Sequence, residues 1–118
     1  MEKEDSLFVT FNFQEGRIKL SKQVIDKLGV PKHIRLLVNS ERLLFAVQPC
    51  EEDDYSSFAV PMNLNAKTGV RLYSITLISL IWDKMNWDKN KTHNVVGVWS
   101  EKNNAVLFNL TKWTNNDF

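Results

Sequence analysis

Cysteine is almost missing from this chain of 118 residues, and glycine, proline and histidine are scarce. A lone Cys50 excludes an internal disulfide and points to a reduced thiol in a cytosolic protein. With only His33 and His93 beside it, no tetrahedral zinc set is available at a recognisable spacing. Glu51 and Glu52 disfavour the thiolate that a cysteine nucleophile needs. Four glycines cannot supply a glycine-rich phosphate loop, and no acid–base or nucleophilic constellation stands out. No cofactor, metal or enzymatic activity is therefore expected. Apolar runs fall short of the roughly 18 residues that cross a bilayer, and Met1–Asp5 is charged where a leader would be apolar. The expectation is a soluble cytoplasmic chain with no membrane partner. A net charge of +1 also excludes the strongly basic tail of a general nucleic-acid coat.

What is present supports a folded core. Hydrophobic residues make up 43% and charged residues 25%, enough for one domain or two small halves sharing a core. Leu7, Val9, Phe11 and Phe13 alternate on one face of a strand, and Ile18 and Leu20 do the same after a turn at Gln14-Glu15-Gly16. Ser21 reads as a helix cap, Val24, Ile25 and Leu28 as a helical stripe, and Gly29 as its left-handed end. Ile34–Val38 and Leu43–Val47 follow as two strands around Asn39–Arg42. Ser57–Val60 reads as a short strand ended by Pro61.

From Gly69 the chain resembles itself. Gly69-Val70-Arg71-Leu72-Tyr73-Ser74 echoes Gly16-Arg17-Ile18-Lys19-Leu20-Ser21, which sets Val70 and Leu72 in the places of Arg17 and Lys19. Ile78, Ile81, Trp82 and Met85 share one face of a helix over 75–85, although the β-branched run from Val70 also suits a long strand. Val95–Trp99 and Ala105–Leu110 predict a second hairpin, and Thr111–Asp117 reads as a tail. Chance is the alternative to duplication, because β-α-β-β is a common order.

Charge is distributed unevenly. Arg17, Lys19, Lys22, Lys27, Lys32 and Arg35 face only Asp26 between residues 16 and 35, a net of +5, whereas 51–68 carries −3. Such a stripe suits phosphates. Ordinary solvated surface is the alternative, since Lys22 and Asp26 stand at i,i+4. Glu51, Glu52, Asp53 and Asp54 lack the glycine and closing glutamate of a calcium loop and read as a solvated linker. Trp99 and Trp113 are candidate protein contacts if exposed, or cover for a sheet edge if folded back.

Gly16-Arg17-Ile18-Lys19-Leu20-Ser21, Val24 and Leu28-Gly29-Val30 resemble the AbrB-like swapped-hairpin family over Ser6–Gln48. Ser21 replaces the family's usual proline, and Pro31-Lys32-His33 its usual small-acidic pair. The resemblance implies an interleaved dimer that binds DNA. The expected fold class is accordingly α+β: a β-β-α-β-β swapped-hairpin-like unit (1–50), an acidic connector (51–68) and a β-α-β-β unit that reads as a duplicate (69–118), sharing one core. The expected work is non-catalytic binding of duplex DNA in transcriptional control through the six cations, by a homodimer or an internal pseudo-dimer. The alternative is a protein-binding module, such as an antitoxin or a mobile-element inhibitor of a host nuclease. Its contacts would be Glu51, Glu52, Asp53, Asp54, Trp99 and Trp113.

Overall fold

The computed structural model describes residues 7–52, 56–62, 64 and 69–115. In chain order the elements are β1 (Phe8–Asn12), β2 (Arg17–Leu20), α1 (Lys22–Lys27), β3 (His33–Asn39), β4 (Leu44–Pro49), β5 (Phe58–Ala59), β6 (Val70–Tyr73), α2 (Ile75–Met85), β7 (His93–Ser100) and β8 (Ala105–Asn115). All eight strands join one antiparallel sheet in the order β5-β3-β4-β8-β7-β1-β2-β6. Asp53 and Asp54 lie outside the described residues.

This corrects the expected fold class. The described residues are 47% strand and 17% helix, in a nearly closed, barrel-like sheet rather than an α+β swapped-hairpin unit followed by a second unit. Pairing explains the difference. Besides the hairpins, β1 pairs with β7, β2 with β6 and β4 with β8, so each half completes the sheet of the other. Four strands cannot close around a filled interior, whereas about eight can. Thr111–Asn115, expected as a tail, continues β8 beyond a register shift at Val95/Gly97.

Curvature is visible in the core. β1 and β4 are three strand spacings apart, about 14 Å on a flat sheet. Yet the rings of Phe11 and Phe45 meet edge to face at 5.1 Å, which requires the sheet to curl until opposite walls touch. Val9, Phe11, Ile18, Leu20, Ile34, Phe45, Val47, Val70, Leu72, Val95, Val106 and Phe108 fill the interior with the buried faces of both helices. The ring has an internal symmetry. Exchanging β1–β4 with β5–β8 and reading in reverse returns the same cyclic order. The residues closing the two four-residue turns, Leu43 and Asn104, are both left-handed, at φ 57° and 49°.

β2 and β6 are antiparallel neighbours, and each runs within one residue into a helix. The two helices consequently leave from opposite ends of the barrel. Ser74 Oγ accepts from the Leu77 N–H at 3.2 Å and caps α2. Ser21 occupies the same place before α1, but its hydroxyl accepts from the Phe8 N–H at 3.2 Å and ties the helix start to β1. Gly29 (φ 86°) and Asn86 (φ 55°) take the left-handed positions that end the helices. No helix among the described residues is long and apolar enough to cross a membrane.

Candidate nucleic-acid interface

Alternation along β2 buries Ile18 and Leu20 and turns Arg17 and Lys19 outward; along β6 it buries Val70 and Leu72 and exposes Arg71 and Tyr73. The ladder sets Lys19 opposite Arg71 and Arg17 opposite Tyr73. Across β1 and β7 the outward rows continue as Arg71, Lys19, Thr10, Asn94 and as Tyr73, Arg17, Asn12. Thr10 Oγ1 donates to Asn94 Oδ1. These seven positions hold three cations, one tyrosine, three neutral polar side chains and no carboxylate. Glu15, in the turn before β2, pairs with Arg17 at 2.5 Å.

Arg71 and Tyr73 are the functional candidates that sequence alignment of the repeats misses. Aligning Gly69 on Gly16 places Val70 on Arg17, but Val70 points inward and Arg17 outward. The apolar/polar alternation Val70-Arg71-Leu72-Tyr73 carries the correct facing, one residue out of step with the glycine match.

The remaining cations of the +5 segment are dispersed. Lys22 pairs with Asp26 at 3.0 Å on α1. Lys27, at the end of that helix, stands 6.0 Å from the ring centre of Trp99. Lys32 is exposed in the link to β3, and its carbonyl accepts from Val60 N–H at 2.9 Å. Arg35 projects from β3, three places round the ring from β2, and its Nε donates to Gln48 Oε1 at 3.0 Å. The barrel thus keeps Arg17 and Lys19 together, adds Arg71, and sends Arg35 to another wall.

The proposed protein contacts scatter more widely. Glu51 and Glu52 are exposed, while Trp99 packs against the core. Trp113 is 39% exposed and rests its ring on His93 and Trp87, at 4.4 and 6.0 Å between centres. His93, an unremarkable residue in the sequence, is buried in this aromatic cluster: it lies flat on Trp87 at 4.1 Å and perpendicular to Trp82 at 5.3 Å. Its Nδ1 meets the Lys91 carbonyl at 3.1 Å, which places the ring hydrogen there as donor. Burial lowers its pKa below the ordinary value, against the raising influence of that hydrogen bond and of Asp88; the Lys91 charge lowers it further. Among the described residues no group of three or more His, Cys, Asp or Glu side chains comes together to hold a metal.

No protein-family model, curated protein or solved structure matches this chain. The functional argument accordingly rests on the chain's own chemistry. Like charges placed directly opposite each other on a ladder are destabilising, so the Lys19–Arg71 pair is a local cost. An anion lying across both cations would reverse its sign, and the side-chain amides of Asn12 and Asn94 supply further N–H donors of the kind that position a phosphate backbone.

Proposed function

We propose that the chain is a non-catalytic DNA-binding protein that contacts duplex phosphates through the outer face of β2 and β6. The observation that carries this reading is the cross-strand pair Lys19–Arg71 beside Tyr73 and Arg17, the last of which pairs with Glu15. β6 is an edge strand, so the β2–β6 ladder stands at the rim of the sheet, with β1 on its other side. Arg17 also belongs to the segment that resembles the AbrB-like family, and the resemblance points to the same activity. Regulation of transcription follows as the role. The test is binding of a labelled duplex at about 50 mM salt, where phosphate contacts are strongest. Wild-type protein is expected to bind. Lys19→Glu/Arg71→Glu is expected to lose binding while keeping its circular dichroism, because both side chains point outward. No retention of duplex by the wild type refutes the reading.

A protein-binding role is the second reading, and one observation favours it. Leu37, Ala46, Leu107 and Val98 form an outward row across β3, β4, β8 and β7, on the wall opposite β2 and β6. Val98 is 67% exposed and its neighbour Val96 71%. Contiguous apolar surface of this kind marks contact sites. The internal symmetry of the ring relates Leu37 to Val98 and Ala46 to Leu107, which suits a second copy of the chain. Val98→Lys would then convert a sedimenting dimer into a monomer; a wild type that is monomeric at high concentration removes this reading.

A further inference from the structure

The alternation of β6 continues past the end of the strand. Arg71 and Tyr73 are exposed, Ser74 keeps an extended backbone at φ −154° and ψ 99°, and Ile75 is exposed again. The Ser74 N–H donates to the Gly16 carbonyl at 3.0 Å, so the β2–β6 ladder reaches one step beyond Arg17–Tyr73 before α2 begins. A tyrosine and an isoleucine, 60% and 72% exposed, therefore stand in succession beside the cations. One exposed apolar side chain is ordinary, but these two share the rim of the sheet with Lys19 and Arg71.

Ile75 is also held in place. It rests on the bare backbone of Gly16, where a Cβ would stand 3.3 Å from Ile75 Cγ1. It is the first residue of α2, whose first turn is capped by Ser74 Oγ. A β-branched side chain on a capped helix end has little freedom left to lose on binding, as a rigid apolar wedge requires. Charge and apolar surface are separated along the rim. Arg17 is paired with Glu15, whereas Lys19 and Arg71 have no carboxylate partner among the described residues. An occupant of this rim thus meets cations at one end and apolar side chains at the other. Alternate side chains on a strand lie about 6.8 Å apart, and the minor groove of a duplex is about 6 Å wide. Phosphates of one strand on Lys19 and Arg71 accordingly set Tyr73 over the groove, with Ile75 further along the same line.

Building on the DNA-binding reading above, we infer that Tyr73 and Ile75 form an apolar wedge that enters the minor groove beside the phosphates held by Lys19 and Arg71, parts a base step and kinks the duplex. Isoleucine is among the side chains that can part a step in this way, and the kinks so produced run from about 20° to 90°. The chain would thus bend DNA as well as bind it. Pyrimidine–purine steps such as TA unstack most easily and are the preferred points of entry.

Ligase-catalysed ring closure of a duplex of about 120 base pairs, shorter than the persistence length of about 150, tests the wedge, with retention of the same duplex measured in parallel. The full-length wild type is expected to speed closure on the order of tenfold, and to raise the fluorescence of 2-aminopurine placed at TA steps. Ile75→Lys adds a cation where the apolar side chain is lost, so it should retain the duplex at least as well and lose the closure. Ile75→Met should keep both, and Tyr73→Ala should lower closure more than retention; circular dichroism checks that each variant is folded. A wild type that retains the duplex without closing it, or closure undiminished in Ile75→Lys, overturns the wedge and leaves phosphate binding standing. No retention of duplex by the wild type removes both. Self-association that Ile75→Lys abolishes while closure persists assigns the two side chains to a second copy of the chain and likewise overturns the wedge.

Discussion

Two residues show how strongly distant neighbours set local chemistry. His93 is enclosed by Trp82, Trp87 and Trp113, and burial favours its neutral form. A histidine whose folded pKa lies below the unfolded value of about 6.5 binds fewer protons folded than unfolded. Its stabilising contribution is full above that value and is lost as pH falls through the interval down to the folded pKa. Urea midpoints should accordingly descend as pH is lowered below about 6.5, and His93→Phe should descend less; a flat wild-type profile contradicts the burial argument. Gly69 is the second case. Its φ is +59°, and a Cβ built there would stand 2.1 Å from the Leu20 carbonyl oxygen. Gly29 is also left-handed, but a Cβ there meets nothing within 4 Å. Gly29→Ala should cost about 1 kcal/mol through backbone strain alone, and Gly69→Ala considerably more. Equal denaturation midpoints for the two variants would show that the β2–β6 approach is looser than described. Neither environment was legible from the sequence, because the neighbours of His93 and Gly69 along the chain are mostly polar and their decisive contacts come from other elements.

At the scale of elements, periodicity did carry information. Two-residue alternation located β1, β2 and β6, apolar runs around polar turns located β3, β4, β7 and the first half of β8, and the helical stripe Ile78-Ile81-Trp82-Met85 separated α2 from the competing long strand. Side-chain patterns report which face is buried, and that is a local property. They do not report what a hydroxyl will bond. Ser74 and Ser21 look alike before their helices, yet only Ser74 caps one. Ser74→Ala should cost about 1 kcal/mol and fray α2. Ser21→Ala should instead loosen the Phe8 amide, seen as faster hydrogen exchange at Phe8 with that of α1 unchanged. The reverse pattern would mean that the two serines have been assigned each other's roles. The candidate site was half legible for a similar reason: Arg17 and Lys19 follow from alternation in β2, whereas Arg71 and Tyr73 required the register of β2 against β6.

The whole molecule depends on pairings that no local pattern encodes. β1 with β7, β2 with β6 and β4 with β8 join residues far apart in the chain, so the two halves cannot be separate folding units. That is why a reading by halves arrived at the wrong fold class although the order of its elements agrees with the barrel. Fragments 1–50 and 66–118, expressed separately, should remain unfolded; stable monomers of each would contradict the shared sheet. Closure also decides which charges act together, since it leaves Lys19, Arg71 and Arg17 on one wall and carries Arg35 away. The central claim is that this wall neutralises DNA phosphates, and the salt dependence of duplex binding tests it most directly. Each phosphate contact contributes about −0.9 to the slope of log affinity against log salt. Three contacting cations predict a slope of about −3, and Lys19→Ala/Arg71→Ala should bring it nearer zero by about 2 while the protein stays folded. A wild-type slope near zero, or a double variant with the wild-type slope, would contradict the account.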